Sequence, residues 1–294
     1  MKYKHLVTFF LIALPICVII RTLQVLCTVD GVTGFFKHEY RTIGILMSGL
    51  LLVIIGTCAV MCSLIKRCPP KMPKVKPLLG VPSVALGVAV LYEIFTNSYN
   101  SRIPFIGVVL VDIFGVATAV LFIAYGLKMF KDFHIKRKLY AIPVVFFMAR
   151  LVCVFITVSS IALIVDNLFM ILCYCSLLLF MLEYAKFANN LDVDMNFKKL
   201  LIAGLCSILL CAVSSIPRLI AIISGNTAVL HESVASVITT LVAGVFISAF
   251  IFTAYSKDNL LVKKHHKATK TEAPGSRTDV FYFEDEPKEK RQEK

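Results

Sequence analysis

Charge is scarce in this chain, and histidine is missing from its apolar runs. Charged residues make up 17% of the sequence against 58% hydrophobic residues. Mean hydropathy is +0.83, which excludes an ordinary soluble globular protein. His5, His38, His134, His231, His265 and His266 fall in loops, in the tail or at the ends of apolar runs. No imidazole base therefore lies deep in a membrane. H-E-x-x-H, G-x-S-x-G, a P-loop and D-D-x-x-D are all absent, which argues against the familiar hydrolases and nucleotide enzymes. No A-x-A-like cleavage site follows the first apolar stretch, so that stretch reads as a retained span. Nearly all of the ten cysteines sit inside apolar runs, where a thiol behaves as a small hydrophobe. A disulfide framework and a Cys/His metal site are not expected, and no cofactor is implied.

What the chain does have is long apolar runs. Several exceed the roughly 18 residues that mark a membrane helix. Eight spans fit, at about 5–27, 42–65, 78–97, 104–130, 139–165, 168–187, 198–225 and 233–256. The fold class is an all-α, polytopic membrane helical bundle with the lipid bilayer as its principal partner. Residues 257–294 form a Lys- and Glu-rich segment, expected to be a disordered tail. Within it, Asp279–Glu286 (DVFYFEDE) is a candidate docking peptide for a protein partner.

Orientation follows from the basic residues. Twenty-five of the 31 Lys and Arg lie at the N-terminus, in the connectors after the second, fourth and sixth spans, and in the tail. Lys37, Arg41 and Arg102 are the only ones in the alternate connectors. The positive-inside rule then puts both termini in the cytoplasm. The net charge of +13 is explained by these short loops, so no nucleic-acid partner is implied. Internal prolines Pro15, Pro82, Pro143 and Pro217 all fall in odd-numbered spans. That pattern raises a duplication of two parallel four-helix halves.

Six polar residues within the spans are candidates for a site: Arg21, Gln24, Glu93, Asp112, Arg150 and Arg218. Arg21 lies nine positions before Asp30, Asp112 eight after Pro104, and Arg218 eight before Asn226. At 1.5 Å per residue that places all three about 13 Å below the outer end of their helices. Arg150 reads as nearer the midplane, Glu93 as close to the surface and solvated, and Glu183 as solvated at the cytoplasmic end. Cys17, Arg21, Gln24 and Thr28 share one helical face. Ser207, Cys211, Ser214 and Arg218 share another, and Arg150, Cys153, Thr157 and Ser160 a third. Ser236, Thr240, Gly244 and Ser248 repeat every four residues, which suits close helix packing.

Intramembrane charges are costly and commonly functional. Facing stripes make either an outward-opening polar cavity or a hydrogen-bonded core. In the first case three arginines against Glu93 and Asp112 leave one net positive charge, suited to a small anionic solute. In the second, Arg21–Asp112 and Arg218–Glu93 are static bridges. The expected function is a carrier or solute-binding membrane protein; the alternative is a non-transporting scaffold, sensor or partner subunit. A carrier calls for a cavity reaching the midplane around Arg150, and a scaffold for a dry interior with its bridges closed.

Arg21–Gln24 (RTLQ) and Thr33–Phe36 (TGFF), set in an eight-span chain, resemble a group of uncharacterised membrane proteins of anaerobic Gram-positive bacteria. The resemblance carries no activity. It implies a bacterial cytoplasmic membrane.

Overall fold

A computed structural model of the chain describes residues 3–29, 36–64, 77–96, 105–130, 135–159, 165–189, 193–224 and 233–254. The basic connector Lys66–Pro77 lies almost wholly outside these residues, as do Asp30, Thr33, Ser160 and the tail segment 257–294. Eight α-helices account for nearly all of what is described: α1 Tyr3–Leu23, α2 Arg41–Ser63, α3 Pro77–Thr96, α4 Phe105–Lys128, α5 Ile142–Ser159, α6 Val165–Ala188, α7 Val193–Ile223 and α8 Val234–Ala254. Each is long and apolar enough to cross a membrane. The chain is a multi-pass, all-α membrane protein.

Six helices close into a ring. α3 packs on α4, α4 on α5, α5 on α6, α6 on α7, α7 on α8, and α8 returns to α3. The pair α1–α2 is appended to the outside of this ring against α7. Burial follows the arrangement: 78% of the α7 span is buried, against 22% for α2. This is not the four-plus-four duplication that the prolines suggested. α6 packs extensively on α7, whereas α2 and α3, the corresponding pair, share no extensive contact. Pro15, Pro82 and Pro217 do lie within odd-numbered helices, but they mark local geometry, not a repeat.

The tightest seam is α3 on α4, and small residues explain it. A β-carbon on Gly126 would lie 2.7 Å from the Gly80 carbonyl oxygen, and one on Gly87 2.7 Å from that of Ala119. Between these contacts Ser83 Oγ donates to the Phe122 carbonyl at 2.7 Å. Backbones this close gain dispersion and dipolar contacts that apolar side chains could not supply in lipid. At the Gly80–Gly126 end of this seam, Tyr125 of α4, Tyr140 of the 3-10 turn Arg137–Ala141 and Tyr184 of α6 meet with centroids 5.7–6.3 Å apart and near-perpendicular planes. Edge-to-face packing of this kind suits the aromatic quadrupole. Phe180, Phe246 and Phe250 extend the cluster, filling the side that the charge count assigns to the cytoplasm.

Several helix boundaries differ from the sequence reading. The first span does not run as α-helix to Cys27; Gln24–Thr28 forms a π-helical turn. α7 begins at Val193, five residues before the expected 198. Its first turn is polar (Val-Asp-Met-Asn) and extends the helix beyond the apolar segment.

Candidate functional site

Four of the six candidate residues form two centres, Arg21 with Gln24 and Glu93 with Arg150. The first centre is built by the end of α1. Arg21 is 1% exposed and donates from Nη1 to Gln24 Oε1 at 2.6 Å. Gln24 spends its amide on α2, donating to the Gly44 carbonyl at 2.6 Å and to Ser48 Oγ at 2.7 Å. The guanidinium also lies 4.5 Å from the centroid of Phe169 on α6, a cation–π distance. The π-helical turn then leads into a bridge between Val29 and Phe36, closed by Lys37 N–H donating to the Thr28 carbonyl at 2.9 Å. Phe36 in turn occupies the space where a Gly44 side chain would be. The last residue of the RTLQ motif and the last of TGFF thus meet at one glycine.

Cys17, Arg21, Gln24 and Thr28 are all buried, as their shared face requires. Arg21 and Asp112, matched in depth, stand on helices that share no extensive contact. α1 packs on α2 and α7, whereas α4, which carries Asp112, packs on α3 and α5. Among the described residues no Arg21–Asp112 ion pair forms, and Asp112 is half-buried. Matched depth fixes a position along the membrane normal; it says nothing of the direction a helix faces.

The second centre lies inside the ring. Arg150 of α5 forms an ion pair with Glu93 of α3, and its Nη2 donates to Ser236 Oγ of α8 at 2.9 Å. Tyr174 of α6 shares a hydrogen bond with the same Ser236 hydroxyl at 2.9 Å, and its ring lies 5.7 Å from the guanidinium carbon. Four helices therefore converge on one guanidinium. Glu93 is 3% exposed and Arg150 8%. Glu93 is thus neither solvated nor the partner of Arg218, contrary to both expectations, because α8 closes over its face of α3. Thr239 of α8 seals that seam by donating to the Ala89 carbonyl at 3.1 Å.

Around the pair is a cavity of about 10 Å³ lined by Glu93, Arg150, Tyr174, Thr239 and Thr240, with Phe146, Phe147 and Leu177 as its apolar wall. That volume suffices for about one water molecule. Ser236 is the third residue of α8 and Glu93 the fourth from the end of α3. The centre therefore sits in the half of the bundle that holds the end of α3 and the start of α8, away from the midplane level expected for Arg150. The aromatic cluster lies further along α6 and α8, where Tyr184 meets Phe246 and Phe250.

Not every polar stripe lines a cavity. Ser207 donates to Ala203, Thr240 to Ser236 and Thr57 to Val53, each to the carbonyl one turn earlier. Hydroxyls satisfied in this way sit in apolar surroundings at little cost. Ser207, Cys211, Ser214 and Arg218 are nonetheless all buried, and Gly244 brings α8 close to Cys211. Ser248 of the α8 stripe is exposed instead. Glu183 is buried, not solvated, and pairs with Lys186 at 2.9 Å. Among the described residues no three His, Cys, Asp or Glu side chains gather as a metal site would require.

Gly44, Ser48, Phe169, Tyr174 and Thr239 belong to these centres without having stood out in the sequence. Tyr174 did carry a signal: a tyrosine in the middle of an apolar run needs a partner for its hydroxyl. Phe169 carried none. Compared with family models, curated proteins and solved structures, the chain matches none.

Proposed function

We propose that the chain is a solute-binding membrane protein of the carrier type, with Arg150 as the receptor for a small carboxylate-like anion. The observation that carries this reading is the convergence of Glu93, Tyr174 and Ser236, from three other helices, on the Arg150 guanidinium beside a cavity. A guanidinium presents a rigid fork that matches a carboxylate, and Glu93 now supplies one from within the chain. The conformation described is a closed one, with Glu93 in the place a solute carboxylate would take. Tyr174, Ser236, Thr239 and Thr240 would orient the remainder of a small polar solute. Following the resemblance, the membrane is the bacterial cytoplasmic membrane, with the site in its outer half.

A second reading has its own support. A cavity of about 10 Å³ and a closed ion pair are also what a non-transporting scaffold, sensor or partner subunit needs. Uptake of labelled pyruvate, a small monocarboxylate probe, into proteoliposomes separates the two. The carrier reading requires uptake by the native protein and its loss in Arg150→Gln. Uptake no greater in native than in protein-free vesicles would leave the non-transporting reading in its place.

A further inference from the structure

Charge neutrality at the Arg150 centre dictates more than an anion site. The guanidinium and the Glu93 carboxylate cancel, and both are buried. An incoming carboxylate would raise the local count to two negative charges against one positive. In a cavity with room for about one water, that excess has no solvent to screen it. Among the described residues, other ionisable groups do not relieve it. On α6 the nearest is Tyr174, and α8 carries no charged residue between Val234 and Ala254. On α4, which packs against α3, the charged residue at this level is Asp112, one turn from the Gly115 that meets Ile94. A second carboxylate there adds to the excess. Among the described residues, the one group placed to remove it is Glu93, by accepting a proton.

Resting on the carrier reading, we propose that Glu93 couples solute to proton, so that one proton enters the site with each carboxylate bound at Arg150. The exchange balances. A solute carboxylate and one proton meet the Glu93–Arg150 pair; the proton bonds to the Glu93 carboxylate, which leaves the guanidinium, and the solute carboxylate takes its place. Charge in the site is zero before and after. Protonated Glu93 becomes a hydroxyl donor, and Ser236 and Tyr174 keep their mutual bond throughout. The same neutrality explains why the pair is closed when no solute is bound, since neither charge tolerates burial alone.

The test uses the full chain in nanodiscs and pyruvate, which stays ionised between about pH 6 and about pH 8. Binding is read from the pyruvate-dependent rise in unfolding temperature, and proton uptake from a pH indicator in weakly buffered solution. One coupled proton predicts an apparent Kd that rises about tenfold per pH unit across this range. It also predicts one proton taken up per pyruvate bound there. Glu93→Gln, which is neutral at every pH, should bind with no pH dependence and no proton uptake, whereas Asp112→Asn should keep both. Proton uptake is measured on the native protein, so it stands even if Glu93→Gln fails to fold. Pyruvate binding without proton uptake throughout this range would overturn the coupling and leave the anion site. Absence of pyruvate binding by the native protein throughout the range would overturn the carrier reading itself.

Discussion

Replacing Gln24 by leucine tests whether Arg21 is held by the chain's own amide. Gln24 is fully buried and makes three side-chain hydrogen bonds: it accepts from Arg21 and donates to Gly44 and Ser48. Leucine fills a similar space and removes all three. The two neutral bonds weigh little, since hydrogen bonds within membrane proteins average about 0.6 kcal/mol each. Gly44 and Ser48 also keep each other, through a Ser48 Oγ to Gly44 carbonyl bond of 3.0 Å. The bond from the guanidinium dominates, at about 1.5–3 kcal/mol for a charged donor in a buried site. The sum is about 3 kcal/mol, to be read by equilibrium unfolding in detergent. Ser48→Ala, which loses only neutral bonds, should cost about 1 kcal/mol or less. Gln24→Glu should not rescue: its carboxylate pairs with Arg21 but turns an oxygen towards the Gly44 carbonyl, where an amide N–H now points. A Gln24→Leu cost no larger than that of Ser48→Ala would refute the assignment, because Arg21 would then be held without Gln24.

Two further expectations concern packing and topology. Gly126→Ala puts a β-carbon 2.7 Å from the Gly80 carbonyl oxygen and should destabilise by about 1–3 kcal/mol, as overpacking does. Gly49→Ala, with nothing within 4 Å, should be neutral or stabilise by up to about 1 kcal/mol in the same unfolding assay. For topology, single cysteines replacing Ser98 and Thr227 in a background without native cysteines should react with an impermeant thiol reagent on intact cells, and one replacing Lys71 should not. Labelling at Lys71 would reverse the orientation that the basic residues imply.

The number of spans and their rough bounds were legible, because an apolar run of membrane length has few other uses. The internal prolines of α1, α3 and α7 and the small-residue approach of α8 at Gly244 were legible for similarly local reasons. The π-helical turn at Gln24–Thr28 was not. Its sequence, QVLCT, differs in no obvious way from α-helix, and the turn is stabilised by tertiary bonds from Gln24 to α2 and by the bridge beyond it. The ring of α3–α8 was also out of reach, since apolar faces in a bilayer do not declare which neighbour they meet.

That last gap decided the site. A polar residue's depth follows from counting along one helix, and its face from a period of 3.6, so the buried face through Cys17, Arg21, Gln24 and Thr28 could be read directly. Its partner needs a third coordinate, the order of helices around the ring. Arg150 had two carboxylates to choose from, Asp112 on α4 and Glu93 on α3. α4 adjoins α5 directly, so adjacency alone would favour Asp112. The pairing goes to Glu93 because closure of α8 onto α3 buries that carboxylate and supplies Ser236 as a second acceptor for the same guanidinium. Asp112 is only half-buried and so loses less solvation than Glu93. Where two acids compete for one arginine in lipid, the arginine serves the more deeply buried one, because an unpaired charge costs most there.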